Sequence, residues 1–302
     1  MSRINAMAYS HVVIEVSDVA RATAFYRSVL GAGEAAAWPD TDCTALGLGA
    51  GQFLVLAPAA RPRSFADTGA HVAYRAAPKQ VAAIEKRAAD AGIEIAHYVE
   101  DRPDEVAHNR YFADPDGNRI QIVTGGTDET APVIDHAGVL VSDIEWADEF
   151  WGEALGQTVV HRVGWATGDF VRARAWGEGK EDMAPGTRRW DQRYRDIPGG
   201  KPGEGRKVAR PCPQLFIDLG AGGVLAIFLA AAHFPEPPPE MVRGRPRIGL
   251  RLDDAGLDVL ARDLAAAGAQ VEGPVKHENG PFKRSLFMRD RCSIFVEFTS
   301  IA

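Results

Sequence analysis

Cysteine is scarce in this chain: Cys43, Cys212 and Cys292 are the only three in 302 residues. Thiols so few and so scattered do not make a disulfide framework or a zinc knuckle, and they suit a reducing compartment. Long apolar runs are missing, which argues against a membrane-spanning helix. The opening stretch "MSRINAMAYSHVVIEV" has no apolar signal core and no cleavage site, so a cytoplasmic location is the expectation. An excess of positive charge is missing too. The formal charge is −7, which gives no general attraction to nucleic acid or anionic membrane. Basic residues gather in "TRRWDQRYRD" (187–196), where acidic residues are mixed in and a solvated loop is the simplest expectation. What is present is ordinary for a globular protein: 46% apolar and 25% charged residues, over a length that suggests two domains.

The chain repeats itself. "HVVIEVSDVARATAFYRSVLG" (11–31) matches "HAGVLVSDIEWADEFWGEALG" (136–156), so His11 is the counterpart of His136 at an offset of 125. Later the offset grows to 171 ("LGAG" at 48 and at 219) and then to 176. The last value pairs Asp114 with Asp290, and Gln121 with Glu297. The second copy therefore carries about 46 extra residues between Gly156 and Leu219. That places an insertion at about 159–211, whose stretch 177–211 is rich in Gly, Pro and charge and carries Trp190 and Tyr194. Such a loop suits a lid or a disordered excursion.

Each copy has the same grammar. An alternating strand ends in Ser-Asp, which can cap the helix that follows. That helix buries a stripe expected at Ala22, Phe25, Val29 and Leu30 and stops at Gly31. Strands are expected at 43–48, 52–57, 71–76, 107–113 and 118–124, with a helix over 78–92 from Pro78 to Gly92. Each half thus reads β-α-β-β-β twice. The stretch "GGTDETAP" (125–132) reads as a linker, which predicts domains at 1–126 and 133–302.

This grammar resembles the vicinal oxygen chelate superfamily, which includes glyoxalase I, bleomycin resistance proteins and extradiol ring-cleaving dioxygenases. "YFADPDGNRIQI" resembles its final-strand signature, where Asp-Pro-x-Gly precedes a strand bearing a metal-binding Glu. "SHVVIEVSD" resembles its opening strand, which bears a metal-binding His. The resemblance implies an α+β fold of four βαβββ modules forming two cupped, mixed-sheet half-barrel domains.

The two-domain layout looks most like extradiol dioxygenases, which take His, His and Glu from the first, fifth and last strands of one domain. The matching residues are His11, His71 and Gln121 in the first half, and His136, Arg247 and Glu297 in the second. The resemblance therefore implies a divalent ion held by His11, His71 and Gln121: Fe(II) first, with Mn(II), Zn(II) or Ni(II) as alternatives. Period-two alternation turns these three away from Val12, Val72 and Ile120. An amide in place of a carboxylate removes a negative charge, so the ion is held less tightly and is a stronger Lewis acid. In the second half a guanidinium cannot bind a cation, and the expectation is an Arg247–Glu297 ion pair.

Tyr111 matches an active-site Tyr of extradiol enzymes and is a candidate proton donor; an aromatic filling the cup is the plainer alternative. His108 is a candidate acid or base. The leading expectation is ring cleavage of a catecholic or other vicinal-oxygen substrate, by a protein compatible with a homodimer. A glyoxalase-type lyase or isomerase, and a non-catalytic protein that sequesters an aromatic antibiotic, are the alternatives.

Overall fold

The computed structural model describes residues 8–38, 41–63, 70–97, 109–126, 131–163, 165, 171, 213–220, 223–229, 239–243 and 247–301. The stretch 177–211 and His108 lie outside them.

Four modules follow one another, and among the described residues each shows four strands with an α-helix after the first. The first holds β1 (Ala8–Val16), α1 (Val19–Phe25), β2 (Ala35–Ala37), β3 (Thr44–Gly47) and β4 (Phe53–Pro58). The second holds β5 (His71–Ala76), α2 (Pro78–Asp90), β6 (Ala96–His97), β7 (Asn109–Ala113) and β8 (Arg119–Thr124). The third holds β9 (Val133–Val141), α3 (Ile144–Asp148), β10 (Thr158–Val163), β11 (Gln214–Asp218) and β12 (Val224–Leu229). The fourth holds β13 (Arg247–Leu252), α4 (Asp254–Ala266), β14 (Gln270–Lys276), β15 (Phe282–Arg289) and β16 (Phe295–Ile301). None of the described helices is long and apolar enough to cross a membrane.

The helices begin where the sequence places caps. Asp18 accepts from the Arg21 amide at 3.0 Å, Asp143 from Trp146 at 3.0 Å and Asp253 from Gly256 at 2.8 Å. Pro78 opens α2, and Gly31 (φ 85°) ends the first helical segment in the left-handed region. Of the expected stripe, Ala22, Val29 and Leu30 are buried, and only Phe25 gives way to its neighbour. A π-helical turn over Tyr26–Leu30 widens the helix, so Tyr26 is fully buried and Phe25 only packs against the core.

Each module lays its first strand parallel to its last. Two modules then join through antiparallel first strands, giving two open eight-stranded sheets. The first sheet runs β14-β15-β16-β13-β1-β4-β3-β2 and the second β10-β11-β12-β9-β5-β8-β7-β6. The partners cross the repeat. Module one pairs with module four through β1 and β13, and module two with module three through β5 and β9. The boundary expected at 126–133 therefore marks the sequence repeat, while each cup takes one module from either half. Helix-side residues of both sheets, among them Val12, Ile14, Ile120, Ile122, Leu250 and Phe298, belong to one continuous core.

Candidate metal centre

The module pairing redistributes the expected ligands. His11 lies on β1 in the first sheet, whereas His71 on β5 and Gln121 on β8 lie in the second. The expectation that His11, His71 and Gln121 converge is therefore corrected: a first strand meets the first strand of the module it is paired with, and β1 is paired with β13. The third residue beside His71 and Gln121 is His136 on β9.

The register shows how. Gln121, Ala73 and His136 form one row across β8, β5 and β9. His71 precedes Ala73 by two residues and so shares its face. His71 Nε2 is 3.4 Å from His136 Nε2, with the two rings nearly perpendicular at 87°. His136 Nδ1 is 2.9 Å from an Asp135 carboxylate oxygen, and Arg75 holds the same carboxylate at 3.4 Å. A carboxylate at Nδ1 favours the tautomer with the proton there, which leaves the His136 Nε2 lone pair facing His71. Burial, then the neighbouring His136, then Arg119 push the His71 pKa well below the ordinary imidazole value, and a hydrogen bond with Gln121 pulls it partly back. His71 is therefore neutral at pH 7.

The wall of this cup is aromatic. Phe228 lies 6.3 Å from the His71 ring and 6.4 Å from Phe216. Tyr111 on β7 stands directly opposite Gln121 and is half-buried, so the sequence candidate for a proton donor does reach this face. The ring of His71 itself lies over the strand at Gly138, its register partner on β9.

The other cup is closed. His11 is fully buried, 4.8 Å from the Trp38 ring and 5.5 Å from Phe282, and Trp38 and Phe282 pack on each other and on Phe53. Its Nε2 is 3.1 Å from Glu297. The second carboxylate oxygen of Glu297 accepts from Ser285 Oγ at 2.7 Å, and Ser285 Oγ is also 2.7 Å from His277 Nε2. The carboxylate expected to serve Arg247 thus bonds His11 and Ser285; the side chain of Arg247 lies outside the described residues.

Sequence reasoning named His71, Gln121 and Tyr111 together, placed His136 with Arg247 and Glu297 instead, and did not name Asp135 or Arg119. One signal was available. A glycine inside a strand often marks close approach of another group, and Gly138 and Gly249 sit inside β9 and β13 opposite His71 and His11.

Residues 8–122 match the model of the Glyoxalase/Bleomycin resistance protein/Dioxygenase superfamily. That stretch, which spans the first two modules, is similar to members of that superfamily. Solved structures extend the likeness across both sheets. A proposed dioxygenase from Bacillus subtilis subsp. subtilis str. 168 superposes with a TM-score of 0.61 at 17% identity, covering 98% of this chain and 86% of that one. Glyoxalase I from Zea mays gives 0.56 at 14% identity, covering 97% of this chain and 92% of that one. These identities establish the vicinal oxygen chelate fold and leave the reaction to the site. A comparison with curated proteins found no match.

Members of this superfamily typically use divalent metal ions. The second cup suits one. Two ring nitrogens each about 2.1 Å from a common tetrahedral cation would stand about 3.4 Å apart, the separation seen between His71 and His136. Gln121 adds an amide oxygen. No group of three His, Cys, Asp or Glu side chains converges among the described residues, so a metal set here is two imidazoles and an amide, without a carboxylate.

Proposed function

We propose that the second cup is a divalent-metal active site acting on a small molecule with two adjacent oxygens. His71, His136 and Gln121 are the ligands and Tyr111 the proton carrier. The observation that carries this is the pair of imidazoles with their Nε2 atoms 3.4 Å apart, His71 kept neutral by burial and His136 oriented by Asp135. When bound, a divalent ion supplies a Lewis acid for the substrate oxygens. The chain's residues do the rest. Asp135 fixes the His136 tautomer and Gln121 orients His71. Phe216 and Phe228 form a dry wall beside them. Tyr111, opposite Gln121, places a hydroxyl where it can give or hold a proton.

Three neutral ligands leave the full charge of the ion facing the substrate. That arrangement suits stabilising negative charge that develops on a substrate oxygen, as in proton transfer beside a carbonyl. A glyoxalase-type isomerase or lyase is therefore the first reading. Extradiol ring cleavage is the second, favoured by Tyr111 and the aromatic wall.

Metal analysis tests the site. Wild-type protein offered Fe(II), Mn(II), Zn(II) or Ni(II) should retain one ion per chain. His71→Ala and His136→Ala should each abolish it, Glu297→Gln in the closed cup should not, and Gln121→Glu should tighten it by restoring a charged ligand. A wild type that retains no ion sinks the proposal, and tight quenching of its tryptophan fluorescence by an aromatic compound would then favour a sequestering protein. Loaded protein that isomerises a hemithioacetal or α-hydroxycarbonyl compound supports the first reading; a catechol turning yellow under air with Fe(II) supports the second.

A further inference from the structure

We infer that the second cup has a separate subsite for a flat aromatic substituent of its ligand. Phe216 and Phe228 floor it, on the β12–β11 side of His71 and His136. This rests on the metal site proposed above and narrows its ligand to a vicinal-oxygen compound bearing an aryl group.

The closed cup supplies the comparison, because both cups are built on the same repeated positions. The offset of 171 pairs Ala45 with Phe216, Phe53 with Val224 and Ala57 with Phe228. The register agrees: Ala45 stands opposite Val55, and Phe216 opposite its counterpart Ala226. The offset of 125 pairs Trp38 with Val163. The Trp38 amide bonds the Cys43 carbonyl at 3.0 Å, and Val163 stands opposite Gln214, the counterpart of Cys43.

In the closed cup the chain's own indole covers these strands. The Trp38 ring lies 4.8 Å from His11, 5.7 Å from Phe53 and 5.2 Å from Phe282, within a buried apolar cluster that includes Ala45 and Ala57. The second cup exchanges large for small. The floor alanines become Phe216 and Phe228, while the covering Trp38 and Phe53 become Val163 and Val224. Phe216, Phe228 and Val224 are half-buried, and Val163 is 47% exposed. Alternation turns all of them away from the core face of Leu215, Ile217, Leu225 and Ile227. Rings partly open to water gain by being covered, and another ring stacked or edge-on covers them best. His161 on β10 ends the row beyond Phe216, edge-on to it at 6.2 Å.

Position follows from the same strands. β11 is two strands from β9, which carries His136, a distance of roughly 10 Å. Phe228, on the strand between them, lies 6.3 Å from the His71 ring. A group over this floor is therefore attached beside the chelating oxygens. His11 is the counterpart of His136, so Trp38 shows that a flat ring fits next to that imidazole.

The test compares ligands that differ only in the substituent: 3-phenylcatechol against 3-methylcatechol, and 2-hydroxyacetophenone against hydroxyacetone. Each is titrated under argon into Mn(II)-loaded wild type, Val163→Trp and Phe216→Leu by calorimetry, with metal content measured first. Wild type should prefer the phenyl member of at least one pair by about tenfold or more, the scale of burying a ring. It should also bind 3-phenylcatechol more tightly than 3-cyclohexylcatechol. Val163→Trp restores the closed cup's cover at an exposed position. It should lose the phenyl preference while keeping its ion and its affinity for the methyl partners. Phe216→Leu keeps apolar bulk without the ring and should weaken the phenyl ligand, and it decides the matter if the tryptophan variant does not fold. Equal binding by wild type in both pairs overturns the inference, as does a phenyl preference that survives Val163→Trp. Equal binding of the phenyl and cyclohexyl catechols overturns the choice of a flat ring. If wild type takes up no ion, the metal proposal fails by itself. The same titrations on metal-free protein then decide the subsite: a phenyl preference lost in Val163→Trp keeps it, and no preference ends it.

Discussion

A glycine opposite each buried histidine decides where its ring can lie. A Cβ at Gly138 would stand 2.0 Å from His71 Cε1, and one at Gly249 would stand 2.1 Å from His11 Nδ1. Either contact forces the ring to move, and the surroundings set the consequence. His71 is only partly buried and its ring can give way, so Gly138→Ala should cost metal affinity with little loss of stability. His11 is enclosed by Trp38, Phe282 and Glu297. Gly249→Ala should therefore overpack a closed site and cost about 1–3 kcal/mol with metal binding intact. Paired metal titrations and denaturant melts check this, and the opposite pattern would reverse the assignment of open and closed cups.

At the same scale, the two copies of the Asp-x-x-Gly turn and its relative differ in what they give a buried carboxylate. Asp114 receives the Tyr26 hydroxyl at 3.0 Å, the Asn118 side chain at 2.9 Å and the amides of Asp116 and Asn118. Its counterpart Asp290 faces Trp151 and Ile294 in place of Tyr26 and Asn118. Asp290 Oδ2 is left without a hydrogen-bond partner, and burial raises the carboxyl pKa to about 7. The folded state thus keeps a proton that the unfolded chain releases near the ordinary aspartate value. This group is neutral toward stability below both values, lowers stability as pH rises through the window up to about 7, and changes nothing further above it. Asp290→Asn should remove the penalty. Relative to wild type it should gain stability between pH 5 and pH 8, and an unchanged difference across that range would mean Asp290 does not titrate there.

At the scale of elements, much was legible because local chemistry decides it. The strand at 71–76, the start of α2 at Pro78 and the Asp caps at 18 and 143 follow from alternation, a fixed φ and a short carboxylate. β2 and β6 were not legible. Three alanines and an Ala-His pair carry no alternation, and such short edge strands take their conformation from β3 and β7. The site was half legible for a related reason. A repeat alignment names equivalent residues, such as His11 and His136, but does not say which first strand lies beside which. The π-helical turn was hidden too, and it matters because it turns Tyr26 inward to Asp114. That bond joins module one, in the first sheet, to module two, in the second. Tyr26→Phe should therefore destabilise the protein by about 1–3 kcal/mol, with a melt that remains a single transition. A neutral effect would mean that water replaces the hydroxyl and the tie is not mechanical.

For the whole molecule, the crossing of modules makes the two sequence halves interdependent. The first half supplies β1 to the first sheet and β5 to the second, and in each case the antiparallel partner, β13 or β9, comes from the other half. Alone, either half would expose two unpaired first strands with their polar backbone groups and the apolar surface beneath them, which is an invitation to aggregate or to pair with a second copy. The metal ligands divide the same way, with His71 and Gln121 from one half and His136 from the other. The stretch between β8 and β9 is a connection within one sheet, so cutting it breaks no strand pairing. Residues 1–126 and 131–302 produced together should consequently co-purify as one complex, unfold in a single transition and bind the ion. Either fragment alone should bind none and should be aggregated or self-associated. A monomeric first half that melts cooperatively on its own would show that the seams between modules are dispensable, and would return the sheets to the boundary that the repeat suggests.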